Sequence, residues 1–245
     1  MNSRQRWTYL LGLVTICGSA PAFSQGASYC GDLKNHFGPF DYRNASRESV
    51  DIVEKHHFTP QVEQLLRGQS GYLGGDLSYT LGVFPNHVRA LMSMANLGKR
   101  EKTSKPSYSR FTVDCWFDRA MRFAPDDPSV RVAYGVVLLR DGKKKQALEQ
   151  LEKAASFGGA SPNVYYNLGL VYFDLGEYDK SLAAAREAYR LGFDLPGLKN
   201  KLVKTGKWKE PAGAESAPTK VEKSPSAEPK TKVKSTKLQS SPTSQ

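Results

Sequence analysis

The sequence predicts an all-α protein in which a short solenoid of helical hairpins lies between an irregular N-terminal region and a disordered C-terminal tail. Glycines, alanines and large apolar residues recur at intervals of 34 between residues 85 and 193. Within each interval the apolar residues are three and four positions apart, which is the spacing of a helical face. Residues 209–245, in contrast, consist almost entirely of Lys, Glu, Pro, Ala, Ser and Thr.

The first 24 residues have the composition of a secretory signal peptide. A basic start is followed by an apolar run over residues 7–17 and by small residues up to Ser24. This order is typical of an exported protein, and the run is shorter than the roughly 20 apolar residues of a membrane-spanning helix. We expect the chain to be cleaved after Ser24 and the mature protein to be periplasmic or secreted. Cleavage behind Ala22 and lipidation at Cys17 are the alternatives.

Residues 25–84 show no repeat, and we expect an irregular region with short helices there. One helix is predicted over residues 48–57 and another after Pro60, where proline favours the first helical turn. The glycines of segment 71–76 predict a loop, and segment 77–84 fits either a strand or a helix.

Two cysteines, Cys30 and Cys115, remain beyond the predicted cleavage site. An even number of cysteines in an exported protein favours a disulfide. This bridge would attach the N-terminal region to the first repeat. The alternative is that Cys115, which precedes Trp116 and Phe117, is a small buried apolar residue.

The internal repeat is clearest in its small residues. Glycine at a helix end adopts the left-handed conformation at low steric cost, and small residues inside helices allow two antiparallel helices to approach closely. We assign the first role to Gly142 and Gly176. We assign the second to Gly135 with Ala147 and to Gly169 with Ser181. The pairs and series at the interval of 34 are Gly135 with Gly169, Gly142 with Gly176, and Ala120 with Ala154 and Ala188.

Residues 163–181, which read NVYYNLGLVYFDLGEYDKS, resemble the tetratricopeptide repeat, a 34-residue helix–turn–helix unit. The resemblance implies about three such repeats over residues 85–193 and a capping helix that extends the domain to residue 208. In the first repeat, the helix predicted over 86–97 ends at Gly98 and carries no small residue at the close contact. A polar loop that begins at Lys99 delays its second helix by nine residues.

In this family, side chains of the first helices line a concave groove that holds a polypeptide. The resemblance therefore implies a protein or peptide partner of unknown identity, and the pattern does not favour the basic clamp that some members use for a terminal carboxylate. The groove is either open to an external peptide or covered by the chain's own arm around residues 37–42. The matching residues are Asn86, Arg89, Ser93, Asn96, Val132, Val136, Leu139, Tyr166, Leu170 and Phe173.

The sequence predicts no catalytic, metal or cofactor site. Its four histidines do not form a zinc-protease motif, and no nucleophile elbow is present. The net charge of +11 is accompanied by no nucleic-acid-binding motif. We expect an exported, non-enzymatic interaction scaffold, which by analogy assists the assembly of envelope complexes. The alternative is an envelope tether, in which the basic tail over 209–245 associates weakly with an anionic polymer or membrane surface.

Overall fold

A computed structural model describes residues 29–157 and 161–210. The part of the chain that it describes is built of helices and contains no strand, which confirms the all-α solenoid. The predicted signal peptide and nearly all of the predicted tail lie outside these residues. The helices are α1 (Arg47–His57), α2 (Pro60–Glu63), α3 (Leu73–Val83), α4 (Val88–Glu101), α5 (Val113–Phe123), α6 (Pro128–Arg140), α7 (Lys144–Ala155), α8 (Pro162–Asp174), α9 (Tyr178–Arg190) and α10 (Gly197–Lys204).

The N-terminal region is more regular than its glycines suggest. The loop prediction for segment 71–76 is wrong from Leu73 onward, because α3 begins there and continues through the segment whose type was left open. Asp76 stabilises this start: its buried carboxylate accepts hydrogen bonds from the backbone N–H groups of Gln69 (2.7 Å) and Ser70 (3.1 Å). Gly74 lies so close to the backbone of Ser107 that a side chain would not fit.

Helix α3 and the turn after it repeat the geometry of α5 and its turn. Phe84 ends α3 at φ −124° and ψ 82°, and Ala124 ends α5 at φ −125° and ψ 76°. A proline follows each of them, at positions 85 and 125. Side chains of α2 to α6 share one continuous core. The N-terminal region therefore extends the stack of helices by a further layer.

The structure also corrects the first repeat. Helix α4 spans Val88–Glu101 and passes through Gly98, and Lys102 ends it in the left-handed conformation. Since α4, α6 and α8 begin at Val88, Pro128 and Pro162, Ala95 occupies the position of Gly135 and Gly169. Ala95 is 2% exposed. The small residue thought to be missing from this repeat is therefore present.

The two regular repeats, α6 with α7 and α8 with α9, follow the prediction closely. Gly142 and Gly176 end their first helices at φ +76° and +79°. Gly169 contacts Ser181, whose hydroxyl donates to the Gly169 carbonyl (2.7 Å). At Gly135 the close neighbour is Leu151, since an added Cβ would lie 2.7 Å from its Cγ. The contact thus falls one helical turn beyond Ala147.

A disulfide joins Cys30 to Cys115 on α5, as predicted. Beside it, the buried Arg119 donates to the carbonyl oxygen of Cys30 (3.1 Å) and to that of Asp32. Its guanidinium lies 4.5 Å from the ring centroid of Phe111. These contacts hold the N-terminal arm, residues 29–44, against α5.

Farther along, the arm covers the turn between α3 and α4. The Phe40 N–H donates to the Val83 carbonyl (2.8 Å), and the Tyr42 ring lies 4.0 Å from that of His87. His87 is fully buried at the start of α4. Its Nδ1 accepts from the Ala90 N–H (3.2 Å), so Nε2 carries the proton and donates to Glu54 Oε1 (3.1 Å).

His87 makes the stability of the fold dependent on pH. Burial lowers the pKa of His87 from 6.5 to about 4, although the hydrogen bond to Glu54 opposes this shift. The unfolded chain takes up this proton first, so stability is lost as the pH falls from about 6.5 towards 4. We expect the free energy of unfolding to be about 2 kcal/mol lower at pH 5 than at pH 7.5 from this group.

Urea titrations of the wild type and of His87→Asn at both pH values measure this contribution. Asparagine caps helices well and does not titrate, so the variant should lose much less stability between the two pH values. An equal loss in both proteins would contradict the role of His87.

Candidate peptide-binding groove

A hollow of about 340 Å³ lies between the first helices of three successive hairpins, α4, α6 and α8. Its wall is mainly apolar, and polar side chains stand at one end. The lining residues are Val88, Met92, Pro128, Ser129, Val132, Ala133, Val136, Ser161, Asn163 and Val164.

Helical spacing explains why these side chains converge. Residues four apart lie on one face of a helix, so Val88 and Met92 form a stripe on α4, and Val132 and Val136 form one on α6. Met92 and Val136 are half-buried, whereas Val132 is 8% exposed. The hollow is therefore formed by side chains that belong to the core on one side and meet open space on the other.

Six of the predicted groove residues lie on α4 and α6. Val132 and Val136 line it directly, whereas Leu139 packs against the core that α6 shares with α7 and α8. Arg89 and Asn96 are exposed on α4. Arg89 donates to Glu63 (2.8 Å), and Asn96 accepts a hydrogen bond from Arg140 (2.7 Å).

Two predicted groove residues lie in the interior instead. Asn86 precedes α4 and donates to Asp127 (3.0 Å), and it is 2% exposed. Ser93 donates to the carbonyl of Glu63, at the end of α2 (2.9 Å). The corrected start of α4 explains both placements. With α4 beginning at Val88, the residues of this helix that line the hollow are Val88 and Met92. A helix over residues 86–97 does not predict these two residues for the groove.

The aromatic residues predicted for the third hairpin pack against the capping helix. Tyr166 stacks on Phe193 with ring centroids 4.1 Å apart. Leu170 and Phe173 are half-buried against Leu198 and Leu202 of α10. These side chains are thus partly covered by the segment that ends the solenoid, and α8 reaches the hollow through Asn163 and Val164.

The N-terminal arm contributes no lining residue to the hollow. Arg43 forms ion pairs with Asp41 (2.6 Å) and Asp126 (3.1 Å), at the turn between α5 and α6. Asp41 in turn accepts from Asn86 (2.8 Å), and these contacts lower the pKa of Asp41. Within the described residues, the arm follows the turns that precede α4 and α6. Of the two alternatives for the groove, cover by segment 37–42 is therefore not the one seen at this hollow.

Over 29–157 and 161–210, no three His, Cys, Asp or Glu side chains are grouped so that they could hold a metal ion. None of the helices in this part of the chain has the length and apolarity that crossing a bilayer requires.

Comparison with family models gives a match within the repeat region. The family model described as anaphase-promoting complex, cyclosome, subunit 3 matches residues 115–188. Protein O-mannosyl-transferase TMTC3 of Mus musculus is 26% identical over 99 residues, and that of Homo sapiens is 25% identical over 104 residues. These segments are 40% and 42% of this chain, but the chain spans only 10% and 11% of the length of those relatives.

Comparison with solved structures gives two further matches. Pseudomonas aeruginosa pilF is 17% identical, with a TM-score of 0.46 over 65% of this chain and 68% of its own. MamA MSR-1 C2 is 14% identical, with a TM-score of 0.40 over 62% of this chain and 80% of its own.

Proposed function

We propose that this chain, whose hairpins are repeats of the tetratricopeptide type, is an exported, non-enzymatic scaffold that holds an extended polypeptide in the groove of its first helices. Repeats of this type generally bind protein partners. The observation that carries the proposal is the apolar hollow between α4, α6 and α8.

The hollow suits one apolar side chain of a partner. Met92 and Val136 present half-exposed apolar surface across it, and Ser129 and Asn163 are exposed at its polar end. Burying an aliphatic or aromatic side chain contributes about 1.5–3 kcal/mol. Polar groups at the end of the hollow can bond to the backbone of an extended segment, which presents N–H and C=O groups along its length.

Export is supported by the leader-like first 24 residues. The Cys30–Cys115 disulfide agrees with it, because such bonds persist in oxidising compartments. We propose a role in the assembly of an envelope complex, with the basic tail as a further contact to an anionic surface. Mass spectrometry of the N-terminus of the native protein tests export: a chain that begins at Gln25 supports it, and an intact leader in the cytoplasm contradicts it.

Substitution of Val136 by arginine tests the groove. A long cation would fill the hollow and place a charge on its apolar wall, so we expect loss of the partner. Because Val136 is half-buried at an open surface, the fold should persist. The measurement is quantitative mass spectrometry of proteins captured from an envelope extract by the full chain.

Ile52→Arg is the matched control, since Ile52 is an apolar residue of α1 that is 54% exposed and lies away from the groove. Partners that bind the groove should be lost with Val136→Arg and retained with Ile52→Arg. If both variants capture the same proteins as the wild type, the groove is not the binding site.

A further inference from the structure

A second hollow, of about 390 Å³, lies between the C-terminal halves of α4 and α6. The loop inserted between α4 and α5 forms one of its walls, so the site is a consequence of the longer first repeat. The lining residues are Ala95, Gly98, Lys99, Lys102, Thr103, Ser104, Val113, Asp114, Arg140, Asp141 and Lys143.

Its charges are mostly basic. Lys143 lies 3.5 Å from Asp114, and Arg140 lies 3.3 Å from Asp141, so the two carboxylates are each paired with a cation. Among the described residues, no hydrogen bond or ion pair involves the ammonium of Lys99 or that of Lys102. These two cations of the hollow therefore have no counter-charge within residues 29–157 and 161–210.

Both hollows adjoin α4 and α6. Met92 lines the apolar one and Lys99 the basic one, and these residues of α4 are seven positions apart. At 1.5 Å per residue this separation is about 10 Å. An extended chain covers it with about three residues. Between the hollows, Arg140 of α6 donates a hydrogen bond to Asn96 of α4 (2.7 Å).

We propose that the polypeptide held in the groove carries an apolar side chain and, about three residues away, an acidic side chain that binds at Lys99 and Lys102. The proposal rests on the peptide-binding function inferred above and specifies the chemistry of the partner. Lys99 and Lys102 are both exposed, so each can reach a carboxylate on a bound peptide, and hydrogen bonds to a charged group are stronger than those between neutral groups.

An array of acetylated and amidated nonapeptides tests this inference with the full-length, disulfide-bonded protein. Each peptide has a neutral Ala/Ser background, one Leu, and Glu or Gln at the third position before or after it. We expect the best Glu peptide to bind about fivefold more tightly than its Gln counterpart. Lys99→Gln with Lys102→Gln should reduce this preference to about twofold or less and leave the affinity for the Gln peptide unchanged.

The matched control is Lys55→Gln with Lys204→Gln, which removes two exposed lysines from α1 and α10. It should keep the preference for Glu. Equal binding of the Glu and Gln peptides to the wild type would overturn the inference but not the peptide-binding function. A preference that appears only with a free terminal carboxylate in place of Glu would overturn the side-chain assignment. If no Leu peptide binds, or Val136→Arg binds them as well as the wild type does, the peptide-binding function itself fails.

Discussion

Replacement of both Cys30 and Cys115 by alanine is expected to lower the free energy of unfolding by about 4 kcal/mol. The bridge joins residues 85 positions apart, so it restricts a long loop of the unfolded chain. It also fixes the arm, whose carbonyl oxygens at Cys30 and Asp32 accept from the buried Arg119. When the arm detaches, the Arg119 guanidinium becomes hydrated but loses its hydrogen bonds to the arm.

Thermal and denaturant unfolding of the oxidised wild type, the reduced wild type and the double alanine variant measure this effect. Alanine is the suitable replacement because both cysteines are buried, at 8% and 5% exposure, and a serine hydroxyl would lack a partner there. For a domain of this size, the melting temperature should fall by about 8–16 °C. If reduction leaves it unchanged, the bridge does not stabilise the fold.

The sequence was sufficient for the two regular hairpins because each position there has one dominant local requirement. Gly142 and Gly176 take a left-handed conformation that other residues rarely adopt. Such requirements recur with the repeat and are visible in a single sequence. The disulfide was equally accessible, because two cysteines allow only one intramolecular pairing.

The first repeat was misplaced because two local signals competed with the tertiary contact. Glycine commonly ends a helix, so Gly98 suggested that α4 ends there. In the structure, an added Cβ at Gly98 would lie 2.9 Å from the Thr103 carbonyl oxygen and 3.0 Å from Val113. Its glycine therefore serves the packing of the inserted loop. The N-cap of α4 is His87, whereas the N-cap of α6 is Asp127. Because histidine is not a usual capping residue, the sequence did not indicate where α4 begins.

In the N-terminal region, the segment around Gly74 and Gly75 is helical for a reason that lies outside it. Because Gly74 has no side chain, the backbone of Ser107, a residue 33 positions later, can pack directly against it. Likewise, the arm is anchored by Arg119 and by Asn86, which contact it across more than 40 residues of sequence. Contacts of this range have no local pattern, and the course of the arm could not be inferred without them.

The contacts of the aromatic residues of α8 likewise could not be inferred from local sequence. Replacing these residues should give the second large loss of stability. Their spacing places them on the groove face, but that face is also where the capping segment packs. We expect Tyr166→Ala combined with Phe173→Ala to lower the free energy of unfolding by about 4 kcal/mol. Full burial of an aromatic ring is worth about 3–5 kcal/mol on truncation, and both rings are only half-buried.

The loss should be local to the end of the solenoid. Tyr166 loses its stack on Phe193 (4.1 Å), and Phe173 loses its edge contact with Tyr178 (5.4 Å). Leu198 of α10 then packs against a cavity. Hydrogen exchange should show faster opening of α10, while the amides of α4 and α5 keep their protection.

Tyr72→Ala with Tyr108→Ala is the matched control, because these two rings stack on each other at the surface and are 60% and 62% exposed. This pair should change stability by less than about 1 kcal/mol. Below its melting temperature, the α8 variant should still bind a Leu-containing peptide, since the hollow contacts α8 only at its first turn. A variant that keeps full stability but no longer binds peptide would show that Tyr166 and Phe173 face the partner and not the cap.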